Sequence, residues 1–152
     1  MATATQRLEV TLDTALESVD LADDIVKRVA EATGFGEDDV HRLSMAVREG
    51  VVNAYNYGNL RDPSKKITLI VEFDPEKMIV HIQDQGCGFE PKEIPDPLAE
   101  ENLLRTSGRG LFLMRAFMDE FGVHRGPGGG TDLVMAKKLP RRVPDNGRSG
   151  SD

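Results

Sequence analysis

KKITLIVEF (residues 65–73) and KMIVHIQD (residues 77–84) decide how this chain folds, because only Asp74, Pro75 and Glu76 stand between them. Two runs rich in β-branched and aliphatic residues, joined by so short a turn, predict an antiparallel hairpin. Parity then adds chemistry. Met78, Val80 and Ile82 fall on one face of the second strand, and the two-residue period carries Asp84 onto that same apolar face. An ionised carboxylate there is costly unless a donor meets it. The exocyclic amine of a bound base would be such a donor, and so would an arginine from elsewhere in the fold.

Upstream, RLEVTLD (residues 7–13) alternates with Leu8, Val10 and Leu12 on one side and predicts a half-buried strand. Leu16, Val19, Ile25, Val26 and Val29 then recur at helical spacing, with Glu17, Asp20, Asp23 and Asp24 toward the amino end, where the helix dipole favours acids. A helix is expected over residues 16–32, stopped by Gly34 and Gly36, and a second over residues 37–58, closed by Gly58 before Asp62 and Pro63. Downstream, residues 86–109 carry prolines at 91, 95 and 97 and predict a long loop. A third helix is expected from Gly110 to about Phe121, with Leu111, Met114, Met118 and Phe121 on one stripe. GVHRGPGGGTDLVMAKKL (residues 122–139) predicts a short strand, a glycine turn and a last strand. Strands at both ends and two in the middle break the regular alternation of a parallel sheet. The expected class is α+β, a mixed, mostly antiparallel sheet with helices on one face. A single domain over residues 1–140 is followed by a polar tail, 141–152, expected to be disordered.

Composition narrows the function. The chain has 152 residues, 19 basic and 26 acidic, for a formal charge of −7, which argues against a general nucleic-acid or anionic-membrane binder. Cys87 is the only cysteine, and His41, His81 and His124 lack ligand spacing, so neither a disulfide nor a zinc site is expected. No apolar run approaches the ~20 residues of a membrane span, and the expected location is cytoplasmic.

Within the second helix, REGVVNAYNYGN (residues 48–59) sets Asn53 about 40° and Asn56 about 20° to either side of Glu49. The stripe reads equally as a solvent face or as a covered site, because Met45, Ala46 and Val52 flank it with apolar surface. DQGCGF (residues 84–89) continues from Asp84 through Gly86 and Gly88, either a simple strand-ending turn or a place where backbone approaches a ligand. TSGRGLFLM (residues 106–114) leads a glycine loop into a helix, with Arg105 and Arg109 beside Ser107, Gly108 and Gly110. Such an entry can hold phosphate on free amides, or can be a flexible loop capped by Ser107. In GGGTDLVM (residues 128–135), Thr131 shares parity with Leu133 and Met135, placing its hydroxyl on the inner face.

Taken in order, EGVVNAYNYGN, DQGCGF, SGRGLFLMRAFMDEF and GGGTDLVM resemble the four boxes of the GHKL superfamily of ATP-binding domains. Within it, the chain is similar to the anti-sigma factor serine/threonine kinases of bacterial partner-switching systems, from about Leu8 to Leu139. The resemblance implies a two-layer α/β sandwich of the GHKL (Bergerat) type with ATP between its layers. It assigns Glu49 as general base on a serine hydroxyl and Asn53 as ligand to a Mg2+ ion bridging the phosphates. Asp84 would accept from the adenine amino group, with Gly86 and Gly88 shaping that pocket and Thr131 supporting it. Arg105, Ser107, Gly108, Arg109 and Gly110 would border the phosphates. The implied partners are a sigma factor and a small anti-sigma-factor antagonist as the serine-bearing substrate, with the kinase as a homodimer. A nucleotide-gated binding module without phosphate transfer is the alternative. Two departures from related kinases stand out: Tyr57 precedes Gly58 where a histidine is common, and Thr106 stands where an arginine usually precedes Ser-Gly.

Overall fold

The computed structural model describes residues 5–87 and 114–140. Its regular elements are β1 (Gln6–Asp13), α1 (Glu17–Thr33), α2 (Glu37–Asn53), β2 (Lys66–Phe73), β3 (Lys77–Gln83), β4 (Glu120–Arg125) and β5 (Thr131–Lys138). The expected hairpin forms, with Phe73 opposite Met78 and Thr68 opposite Gln83. Asp74 shapes its turn, since one carboxylate oxygen accepts the amides of Glu76 (2.7 Å) and Lys77 (3.0 Å). β1 adds to the outer edge of β2, while β5 pairs with β3 and then with β4, giving the order β1-β2-β3-β5-β4. All four pairings among the described residues are antiparallel.

One face of this sheet is apolar because the alternation is kept on every central strand. Ile67, Leu69, Val71, Met78 and Val80 are fully buried, and Val26, Val47 and Val51 from the two helices pack over them. Burying each such side chain is worth ~1.5–3 kcal/mol. Both helices therefore lie on the same side of the sheet. Gly34 ends α1 in the left-handed region (φ 111°), with its amide bonded back to Ala30 and Glu31. α2 begins with Glu37, Asp38 and Asp39, whose charges suit its amino end. The two helices are tied by buried Asp23, which accepts from the Ser44 hydroxyl (2.6 Å) and from Arg48 (2.7 Å). Arg48 also meets Asp20 at 2.9 Å, and these acidic partners hold its pKa above the ordinary value. No helix among the described residues is long and apolar enough to cross a membrane.

Two expectations need correction. The second helix reaches Gly58, but its last five residues, Ala54–Gly58, form a π turn, closed by the Asn59 amide on the Ala54 carbonyl (2.7 Å). The α-helical period stops at Asn53, so the small angular offset expected for Asn56 does not hold; its side chain instead accepts from Arg61 at 2.8 Å. The third helix does not run to Phe121. Residues 114–117 are helical, Met118 closes the turn on Met114, and the chain then switches to β4 at Glu120. Met118 and Phe121 fit a helical stripe, but Phe121 pairs with Met135, and the Asp119 amide already bonds Ala136. The free edge of β5 captures the segment. Leu111 and the tail lie outside the described residues.

Candidate functional site

Asp84 is the first residue beyond β3 and, as parity requires, it is buried, with 7% of its surface exposed. Its main chain extends the β3–β5 ladder, since its amide bonds the Thr131 carbonyl at 3.0 Å. Its carboxylate is held by main-chain donors. The amides of Thr131 and Gly86 both reach Oδ1 at 3.0 Å, which leaves Oδ2, beside Gly58, outside those two bonds. Burial pushes the Asp84 carboxyl above the usual range, against the pull of those two amides and of the Lys65 charge.

Three glycines close around this carboxylate. A Cβ on Gly58 would overlap its Oδ2 and Cγ, one on Gly86 would overlap the Gly58 carbonyl, and one on Gly130 would overlap the Asp84 carbonyl. The end of the α2 rod and the end of β3 thus approach to a distance that side chains forbid. Thr131 contributes through its main chain at both amide and carbonyl.

Asn53 and Glu49 stand one helical turn apart on α2, and Asn53 precedes Gly58 by five residues, roughly 7 Å of helix. Gly50, next to Glu49, brings this part of α2 onto the sheet. A Cβ there would come within 2.5 Å of Ile82 and 2.9 Å of Leu133. Glu49 is half-buried. Asn53 is the anomaly: its Oδ1 and Nδ2 are both buried and neither has a hydrogen-bond partner among the described residues. Leaving such a group unpaired costs ~1–3 kcal/mol. An amide oxygen is a hard donor of the kind Mg2+ takes. No cluster of three or more His, Cys, Asp or Glu side chains able to hold a metal exists among the described residues.

The structure therefore brings together Asp84, Gly86 and Thr131, and places Glu49 and Asn53 on the helix whose end closes over them. Gly88, Arg105, Ser107, Gly108, Arg109 and Gly110 lie outside the described residues. Gly58, Gly130 and Asn59 were not among the expected site residues. Gly58 reads as a helix stop and Gly130 as one of three successive turn glycines. Only their contacts across the chain mark them.

This pairing of a helix-borne acid and amide with a buried carboxylate in a glycine cradle is the layout of a nucleotide-binding sandwich. The profile of the histidine kinase-like ATPase domain matches residues 12–137, and the chain belongs to that family. Among named relatives, it is similar to the serine-protein kinase RsbW of Listeria innocua, with 26% identity over 98% of each chain. It is also similar to the anti-sigma F factor of Clostridium perfringens, with 30% identity over 67% of this chain and 74% of that one. The fold matches the crystal structure of the RsbU and RsbW domains of Rv1364c from Mycobacterium tuberculosis, with a TM-score of 0.65 and 18% identity; the match covers 91% of this chain and 34% of that one.

Proposed function

We propose that the chain is a protein-serine/threonine kinase and anti-sigma factor, which binds ATP between α2 and the β3–β5 seam. The observation that carries this is the buried Asn53 carboxamide, without a hydrogen-bond partner among the described residues, one turn from Glu49. Two relatives named as a serine-protein kinase and an anti-sigma factor support the same reading. Asp84 presents Oδ2 to the amino group of adenine, while main-chain amides hold its other oxygen. Asn53 offers its Oδ1 to Mg2+, which when bound neutralises phosphate charge. Glu49 orients the attacking serine hydroxyl and takes its proton as the new phosphoester bond forms and ADP leaves. Positioning and charge neutralisation are most of what phosphoryl transfer asks of a protein.

The partners that follow are a sigma factor, which the chain sequesters, and a small antagonist protein that supplies the serine. Homodimer formation and a cytoplasmic setting belong to the same proposal. The decisive experiment follows γ-phosphate from ATP and Mg2+ into candidate antagonists, for wild type and Glu49→Ala. The expected result is serine phosphorylation by wild type, and its loss in the variant with ADP binding retained. Transfer at the wild-type rate by Glu49→Ala removes the assigned base. ADP binding by wild type with no phosphate reaching any protein leaves a nucleotide-gated binding module.

A further inference from the structure

Asn59 is fully buried at the end of the π turn, in a segment of the chain otherwise rich in exposed residues. Its carboxamide makes three hydrogen bonds to three separate elements. Nδ2 donates to the Thr14 hydroxyl at 2.8 Å and to the Lys66 carbonyl at 3.0 Å, and Oδ1 accepts the Gln85 amide at 2.7 Å. The surrounding groups close the circuit. Thr14 donates to the Lys65 carbonyl (2.7 Å), and the Gln85 side chain accepts the Lys66 amide (2.6 Å).

The two residues next to these anchor points are the ones that meet at the carboxylate. Gly58 directly precedes Asn59 and lies against Asp84 Oδ2, while Asp84 directly precedes Gln85. Fixing Asn59 to the Gln85 amide therefore fixes the helix end against the strand end. It also sets the Asp84–Gln85 peptide plane, one peptide before the Gly86 amide that holds Asp84 Oδ1. A neutral amide suits this task. An aspartate would keep the bond from Gln85 but place a second carboxylate oxygen against the Lys66 carbonyl.

We infer that Asn59 is a positioning residue for base recognition: it holds Gly58 and Asp84 in contact so that Asp84 Oδ2 stays aimed at the amino group of a bound purine. This rests on the nucleotide reading given above. Asn59 is fully buried with both polar atoms of its carboxamide engaged by protein, so it acts through its neighbours, and whether the fold tolerates its loss is a separate matter. The readout must therefore separate aim from stability.

The experiment compares ADP with purine riboside 5′-diphosphate, which lacks the 6-amino group, by calorimetric titration with Mg2+. The proteins are wild type, Asn59→Asp and Thr14→Val; the last removes one anchor of Asn59 at a distance from the ligand. Wild type should prefer ADP. In folded Asn59→Asp the preference should fall about tenfold, the scale of one hydrogen bond to a charged group, with the affinity for the purine diphosphate little changed. Thr14→Val should shift it in the same direction by a smaller factor, and it decides the matter if Asn59→Asp does not fold. An unchanged preference in the folded variants overturns the inference and leaves the nucleotide reading standing. Parallel weakening of both ligands overturns it too, because the effect is then not on the base. Failure of wild type to bind either nucleotide sinks the nucleotide reading itself.

Discussion

Replacing Gly58 with alanine tests the site where helix and strand touch. The new methyl would fall on the Asp84 carboxylate and would lie 2.9 Å from the Asp84 Cβ. Gly58 is not among the residues with positive φ, so alanine meets no backbone strain and the cost must come from Asp84. That side chain has to turn away, giving up the Thr131 and Gly86 amides, each 3.0 Å from Oδ1. Hydrogen bonds to a charged group are worth ~1.5–3 kcal/mol each. Against this, the carboxylate regains water, and exchanging glycine for alanine at a helical position returns ~0.5–1 kcal/mol. The net destabilisation of the nucleotide-free protein should be about 2–3 kcal/mol, read from urea denaturation midpoints. The control is the same change in an Asp84→Gly background, which removes the three atoms nearest the new methyl. There Gly58→Ala should cost less than about 0.5 kcal/mol, a coupling of ~2 kcal/mol. Equal costs in both backgrounds would refute the contact as the source of the effect.

Asn53→Ala deletes two buried polar atoms that have no partner among the described residues, so its stability without ligand should stay within about 1 kcal/mol of wild type. Its ADP affinity should lose its dependence on Mg2+, which titration with and without the metal checks. Asp23→Ala strands the Ser44 hydroxyl and one contact of Arg48 and should cost ~2–3 kcal/mol in urea melts, less than a fully buried pair because Arg48 keeps Asp20 and water. Asp84 predicts two opposite pH dependences. Its carboxyl is raised by burial, so the folded state holds the proton more tightly than the unfolded one. Stability of the nucleotide-free protein should then fall as pH rises from the ordinary carboxylate range through the higher folded value. ADP affinity should rise over the same window, since the ionised form is the better acceptor. The difference between wild type and Asp84→Asn, in melts and titrations across that range, isolates both trends.

The features legible in the sequence are those carried by local period. The hairpin, the inward parity of Asp84 and the glycine stop at Gly34 each follow from residues within a few positions of one another. The stretch from 118 to 121 was not legible, because Met118 and Phe121 satisfy a helical stripe while Phe121 equally faces inward as a strand residue opposite Met135. Periodicity could not decide between them; the open edge of β5 did. Asn56 misled for a related reason, since an angular offset computed for an α-helix loses meaning where the chain widens into a π turn. Asn59 was beyond reach of pattern altogether. Its partners Gln85 and Thr14 stand 26 and 45 residues away, and a buried amide in a turn looks in sequence like any exposed one.

The order of the strands also has a kinetic side. β2 and β3 meet across the three residues Asp74–Glu76, whereas Asp84 and Thr131, which open the β3–β5 seam, stand 47 residues apart in the chain. At about 0.6 kcal/mol per doubling of loop length, closing the seam costs ~2.4 kcal/mol more chain entropy than closing the hairpin. The β2–β3 hairpin can therefore form before β5 joins it, and the join is where Asp84 sits. A nucleotide held at that carboxylate would act as a staple across this costlier closure, so its binding should slow amide hydrogen exchange at Thr131 and Leu133 more than at the β2–β3 turn.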